Sequence, residues 1–355
     1  MSRKTGRVTM KDVASVAGVS AQTVSRVVND HPDVATETRK RVKEIIDEGG
    51  YRPNTLARSL ISQRSYTIGV VIAGLNLIGP STLLNGITKA SEHAGYSLIL
   101  KELPSYETDE VESIFDALIS RQVDGIIWAV PEVRENRRWL NKLQLDANIP
   151  VVYLTMDPQD DITVVSINNY LGGTLAALHL LEQGYRHIAH VSGPIDWWES
   201  RQRMQGWKDV LADEGLAFQD FQMVMGDWSS ESGANAMEKL LHQFPEMDAV
   251  FVANDQMALG VFQVLHQRGL RIPEDVGVIG YDNIPESAFF WPSLTTVEQK
   301  QSEVGKAAVG EMIKLIEADW GGSEAIGPKS ILIEPSLIKR HSSRRFQNKK
   351  EVRKP

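Results

Sequence analysis

Thr9–Asn29 reads TMKDVASVAGVSAQTVSRVVN, and the rest of the chain is read outward from this stretch. Thr9 is a helix-capping residue, with Asp12 three positions on and placed to return the bond as a capping box. Val13, Ala14 and Ala17 fall on one helical face and are small enough for a second helix to come close. Gly18 supplies the sharp turn, because a residue without a Cβ enters the left-handed region at little cost. Ser20 caps the next helix. Val24 and Val27 face back toward the first helix, while Ala21, Gln22, Thr23, Ser25 and Arg26 point outward. The pattern predicts a helix-turn-helix whose second helix enters a DNA major groove. There Gln22 suits adenine, Arg26 suits guanine and Ala21 makes an apolar contact. Ser20, Thr23, Ser25 and Asn29 are expected on phosphates or sugars, where they set register. An ordinary capped hairpin with a polar outer face would look the same over these residues alone.

Further along, Thr36–Glu48 (TETRKRVKEIIDE) predicts a third helix, capped by Thr36 and ended by Gly49-Gly50. Its Val42, Ile45 and Ile46 close a small core. Residues 51–66 are too short and polar to hold a helix unaided. Asn54–Leu60 makes two turns when held against DNA and a second copy. In that setting Asn54 contacts DNA, Ala57 lets the partner helix approach, and Leu60 wedges into a minor-groove base step. The alternative for Leu60 is a linker leucine without a role.

The remainder alternates short apolar runs with amphipathic stretches. Ile68–Gly74, Tyr96–Lys101, Gly125–Val130 and Val151–Thr155 read as strands buried on both faces, and Ile188–Ser192, Ala249–Ala253 and Val276–Tyr281 resume the pattern. The intervening helices are expected at 81–94, 111–121, 172–183, 201–214, 231–243 and 257–268. Two runs of β-α alternation imply an α/β body of two doubly wound parallel-sheet subdomains, behind an all-α head. Ligands in such folds collect at the carboxyl ends of strands, hence in the cleft between the halves.

Composition fits a globular chain of more than one domain: 355 residues, 42% hydrophobic and 24% charged. The absence of cysteine excludes disulfides, thiolate metal sites and a cysteine nucleophile. A basic start without an apolar run argues against a signal peptide, and no segment has the length of a membrane span, so a cytoplasmic location is expected. The net charge of −8 is unevenly spread. Residues 1–66 carry 12 Lys/Arg and 7 Asp/Glu, residues 67–338 carry 18 and 38, and residues 339–355 carry 8 and 1. A positive head on an acidic body directs DNA to one end. The basic tail, 339–355, reads as disordered. His187 and His190 flank a strand and suggest packing. With no third ligand nearby they make no metal site, and no cofactor or enzymatic nucleophile–base pair is expected.

VTMKDVASVAGVS with QTVSRVVN, TRKRV, YRPN and LARSL, followed by GDW (Gly226–Trp228), VANDQMALG (Val252–Gly260), GYDNIPES (Gly280–Ser287) and PSLTTVEQ (Pro292–Gln299), resembles the LacI/GalR family of bacterial repressors. The resemblance covers nearly the whole chain apart from its basic end. It implies a headpiece (1–50), a hinge (51–66) and an effector and dimerisation domain of periplasmic-binding-protein type (67–338). The subdomains would be 67–168 plus 299–328, and 169–298 plus 329–338, with crossings near Asn168–Asn169, Thr295–Gln299 and Lys329. It implies effector contacts at Arg203, Trp228, Asn254, Asp282 and Gln299, and an apolar wall at Leu77 and Pro80. Trp197, beside Trp198, adds a stacking surface or a packing residue. Asp255 reads as the cap of a helix beginning at Gln256.

This chain departs from the family at several points. LTMD near Thr155 lacks an acidic residue directly after the strand, so one sugar contact is lost or moved to Asp157. Ala73 and Gly74 replace hydroxyl residues, Gln301 stands where an aromatic ring is usual, and Ala21 replaces a bulky aromatic. The expectation is a ligand-controlled repressor: a homodimer on a double-stranded, pseudo-palindromic operator, released by a saccharide such as a galactoside. A co-repressed regulator of purine type is the alternative, although those relatives tend to carry Phe at the position of Trp228. A free sugar-binding protein would need a secretion signal and no headpiece.

Overall fold

The computed structural model describes residues 8–28, 31–51, 64–108, 110–141, 149–216, 218–321 and 326–345. The chain divides into two compact units, Met1–Tyr66 and Thr67–Pro355. The first unit holds α1 (Met10–Ala17), α2 (Ala21–Val28) and α3 (Thr36–Gly49). Thr9 N–H donates to Asp12 Oδ2 at 2.8 Å and Asp12 N–H returns to Thr9 Oγ1 at 3.3 Å, completing the capping box. These bonds from Thr9 hold the Asp12 carboxyl below its ordinary value. Gly18 sits at φ +63, the left-handed conformation the turn needs. Ser20 Oγ accepts from Thr23 N–H at 3.0 Å and opens α2. Val13, Val24, Val27 and Val42 are buried together, with Ile45 and Ile46 at the margin. Thr36 is not the cap of α3: it is the first helical residue, and Ala35 before it offers no side chain for capping. Asn29, Asn54, Ala57 and Leu60 lie outside the described residues.

The second unit runs β1 (Thr67–Ala73), α4 (Ile78–His93), β2 (Ser97–Leu103), α5 (Val111–Ile119), β3 (Gly125–Ala129), β4 (Val151–Leu154) and β5 (Thr163–Ile167). It continues α6 (Asn169–Glu182), β6 (Ile188–Ser192), α7 (Trp198–Asp213), β7 (Met223–Met225), α8 (Ser230–Gln243), β8 (Ala249–Val252), α9 (Asp255–Gln267) and β9 (Gly277–Asp282). It closes with β10 (Thr295–Glu298), α10 (Gln301–Gly321), β11 (Ser330–Ile333) and β12 (Ser336–Ile338). One sheet has the order β11-β5-β4-β3-β1-β2 and the other β12-β10-β9-β8-β6-β7. Every pairing is parallel except β12 on β10.

Helices cover both faces of each sheet, which is why central strands read as unbroken apolar runs. Ile68, Val70, Val71 and Ile72 of β1 are buried, as are all four residues of β8. α10 was not expected from the alternation; its Val304, Ala308, Met312 and Ile316 are buried, and it packs on α4, β3 and β4. Among the described residues no helix is long and apolar enough to cross a membrane.

Two sequence-based boundaries need correction. The third crossing between subdomains lies between β11 and β12, past Lys329, because β11 pairs with β5 of the first sheet, Ser330 opposite Val164. The tail is also ordered at its start. Ser342 and Ser343 are fully buried; Ser342 Oγ donates to the Val278 carbonyl at 2.7 Å and accepts from Thr295 N–H at 2.8 Å. Arg340 reaches the Leu294 carbonyl and Asn283 Oδ1, both at 2.7 Å. Composition marks this segment as polar, but Ser342 bonds backbone groups of the second sheet and Ser343 bonds Thr295 Oγ1 and His179 Nε2.

Candidate functional site

In the first unit the outward face of α2 is the one the valine pattern implies. Ser20, Ala21, Gln22 and Arg26 are exposed, Thr23 and Ser25 half-buried, and Val24 and Val27 turned inward. Gln22 and Arg26 are four apart and share one helical face. Two long polar side chains are thus exposed on one face of α2.

In the second unit a cavity lies where the two sheets present their strand ends. All eight residues expected there line it. The first subdomain gives an apolar wall: Leu77 just before α4, Pro80 in its first turn, and Ala129 at the end of β3. Thr155, after β4, is a polar addition on that side. The second subdomain gives a polar wall. Arg203 projects from α7, Asn254 follows β8 and Asp282 ends β9, while Gln299 sits in the crossover between β10 and α10. Trp197 precedes α7 and Trp228 follows β7; their rings meet edge to face at 5.6 Å, and Tyr106 meets Trp197 at 4.7 Å.

The backbone is forced at this cavity. Thr155 (φ 55), Trp228 (φ 77) and Asp282 (φ 120) all hold a conformation that L residues avoid, as is common where a site is over-determined by its surroundings. Gly193 makes room for the tryptophan: a Cβ there would stand 2.0 Å from the Trp228 ring.

Arg203 is buried and already oriented. Its Nε donates to Asn169 Oδ1 at 2.8 Å, its Nη1 donates to the Ala253 carbonyl at 2.7 Å, and its guanidinium lies 3.9 Å over the Tyr281 ring. Asp282 is part-open to the cleft yet surrounded by protein, and burial pushes its carboxyl up to about 7, with Arg203 opposing. Gln299 Nε2 donates to Asp282 Oδ1, and Gln301 Nε2 donates to Gln299 Oε1 at 2.8 Å. Among the described residues, two lining residues carry a buried polar atom without a partner, Trp228 Nε1 and Gln301 Oε1. Unsatisfied buried donors and acceptors are costly and uncommon, and a hydroxyl-bearing ligand would satisfy both.

The cap of α9, expected at Asp255, is Asn254. Asn254 caps α9, its Oδ1 accepting from Met257 N–H at 2.8 Å, while its Nδ2 donates to the Trp228 carbonyl at 3.0 Å. Asp255 lies inside the helix and accepts from Ile284 N–H (3.1 Å), Ser287 Oγ (2.6 Å) and Thr296 Oγ1 (2.7 Å). It fixes the loop that carries Asp282, and burial pushes its carboxyl up to about 6. Asp157 does not reach the cavity; its carboxylate faces Arg137 at 3.7 Å. His190 packs at 4.6 Å on Phe251, and burial pulls it down to about 3, so it is neutral.

Glu199, Gln256 and Gln301 also line the cavity and were not assigned a contact from sequence. Glu199 was legible in principle, because it stands four residues before Arg203 and therefore on the same helical face. Burial raises its carboxyl, with Arg203 opposing. Buried Glu132 of the first subdomain pairs with Arg137 at 2.8 Å and with Arg201 of α7 at 3.5 Å.

Residues 9–54 match bacterial regulatory proteins of the lacI family, and residues 177–343 match a periplasmic binding protein-like domain. The ribose operon repressor of Escherichia coli K12 is 34% identical over 336 residues, 94% of this chain and 99% of that protein. Among solved structures, the lac repressor dimer bound to operator and the anti-inducer ONPF has a TM-score of 0.80 at 30% identity, covering 95% of this chain and 99% of that one. The complex of the transcriptional regulator CelR with cellobiose has a TM-score of 0.68 at 32% identity, covering 95% and 100%. The chain belongs to the lacI family of bacterial regulatory proteins. It is a DNA-binding transcriptional repressor controlled by an effector, and not an enzyme.

Proposed function

We propose that the effector is a saccharide held in the cleft, and that its binding releases a homodimer from a pseudo-palindromic operator in the cytoplasm. The polar wall carries this reading. Arg203, Asp282, Gln299 and Asn254 are planar groups of the kind that bind vicinal hydroxyls, with Trp197 and Trp228 for the apolar face of a sugar ring. Trp228, which lines the cavity, also carries a buried ring N–H without a partner among the described residues. Relatives named for ribose and solved with cellobiose agree with it.

Gln22 and Arg26 read base edges, Ala21 adds an apolar contact, and Ser20, Thr23, Ser25 and Asn29 hold phosphates or sugars. Asn54, Ala57 and Leu60 serve the hinge, with Leu60 as the wedge. Phe289 and Trp291 are 87% and 85% exposed on the second subdomain, a surface that a second copy of the chain covers. Because coupling is reciprocal, an inducer that weakens operator binding itself binds less tightly to the DNA complex.

A thermal-shift screen of the full chain against mono- and disaccharides, with purines as the control class, tests the proposal. A saccharide, a galactoside among them, should raise the midpoint and release operator selected from a random DNA pool. A response to purines alone would keep the DNA role and sink the saccharide reading.

A further inference from the structure

The cavity is lined by three charged side chains, Glu199, Arg203 and Asp282. Two carboxyls therefore flank one guanidinium, two of whose nitrogens are already bonded to Asn169 and the Ala253 carbonyl. Glu199 is only 8% exposed, and among the described residues its carboxyl takes no hydrogen bond from the protein. It faces the space beside Trp197, in the first turn of α7. A buried acceptor left open in a cavity is costly unless something that enters donates to it.

Resting on the reading of this cleft as a saccharide site, we infer that Glu199 is a further effector-reading residue and confines the cleft to uncharged sugars. Its carboxyl accepts a sugar hydroxyl, and together with Asp282 it cancels the attraction Arg203 would offer an anion. A phosphorylated or uronic sugar would place its charge within a few ångströms of two carboxyls, with one already-engaged cation to answer them. At pH 8, above the value to which burial raises Asp282, such a like-charge approach in a partly buried site outweighs a hydrogen bond.

Calorimetric titration of the full chain at pH 8 tests this with matched probes. Galactose, glucose, lactose and cellobiose are the neutral set, and galacturonate, glucuronate and glucose 6-phosphate the acidic set. The chain should bind at least one neutral sugar, and the acidic counterpart about 100-fold more weakly or worse. Glu199→Gln should gain about tenfold or more for the acidic counterpart, a gain that a misfolded variant cannot show. Equal affinity for a neutral sugar and its acidic form, or an unchanged ratio in Glu199→Gln, would overturn the role of Glu199 and leave the saccharide reading standing. Failure to bind any sugar, neutral or acidic, would overturn that reading itself and this inference with it.

Discussion

Asp282 concentrates the chemistry of the cleft in one side chain: a backbone at φ 120, a carboxyl raised to about 7, and Gln299 and Arg203 as neighbours. Its pKa in the folded chain lies above that of an unfolded aspartate, near 4. Between those values the folded state holds a proton that the unfolded state has lost. The stability this contributes is full below about pH 4 and is lost as pH rises through 7. Asp255, raised to about 6, acts in the same direction. His190 and His179, pulled down by burial to about 3 and about 4, act in the opposite direction over the same range, so what reads Asp282 is how far the calorimetric midpoint of the ligand-free chain falls from pH 5 to pH 8 relative to a variant without its proton. Asp282→Asn should fall less over that range, and a curve parallel to wild type would take the proton away from Asp282. Asp282→Ala should weaken effector binding about 100-fold or more, since it leaves the Gln299 donor and the Arg203 charge unanswered. In the first unit, Arg26→Ala should cost about 1–3 kcal/mol of specific operator binding and relax preference at one base pair, read by footprinting. An unchanged footprint would remove Arg26 from the reading face.

Among the elements, α1 depends most visibly on a local device. The Thr9–Asp12 capping box satisfies backbone donors that a helix of eight residues cannot satisfy internally. Thr9→Ala should destabilise the first unit by about 1 kcal/mol, measured by amide hydrogen exchange over α1 and α2. Exchange unchanged from wild type would mean that packing on Val24 and Val42 alone holds the helix. Between the subdomains, Arg201 of α7 reaches Glu132 at 3.5 Å while Arg137 keeps the same carboxylate at 2.8 Å. Removing Arg201 therefore does not strand the buried charge, and Arg201→Ala should weaken effector binding only several-fold, through loss of a contact between the two walls. A loss as large as that of Asp282→Ala would show Arg201 acting on the ligand itself.

At the scale of the whole molecule, charge and exposed apolar surface divide the work. The head carries a net positive charge and residues 67–338 a strongly negative one, so operator binding should weaken steeply with salt while effector binding changes little. Phe289 and Trp291 stand almost wholly in solvent, against the usual burial of such side chains. The double variant Phe289→Ser, Trp291→Ser should shift the chain from dimer to monomer in analytical ultracentrifugation and lower operator affinity by more than tenfold, because two half-sites are no longer bound together. A dimer of unchanged strength would place the interface elsewhere.

Local chemistry determined the head. The capping box, Gly18, Ser20 and the valines of α1 and α2 interact within a few residues of one another, so a single pass along the sequence reveals both the hairpin and its outward face. The central strands were equally legible, since burial on both faces leaves an unbroken apolar run. The family resemblance then carried seven of the eight lining residues, all but Trp197, which sequence distance alone would never have grouped. Only the tertiary structure decided the rest. The pairing of β11 with β5 moved the third crossing, and the second sheet absorbed Ser342 and Ser343 from a segment whose composition looked disordered. Asp255 became a loop anchor because Ile284, Ser287 and Thr296, far along the chain, converge on it. Glu199 entered the cleft because α7 turns that face toward the other subdomain. Each of these depends on non-local partners, and hydrogen bonds and burial between distant segments leave no periodic trace in the sequence that makes them.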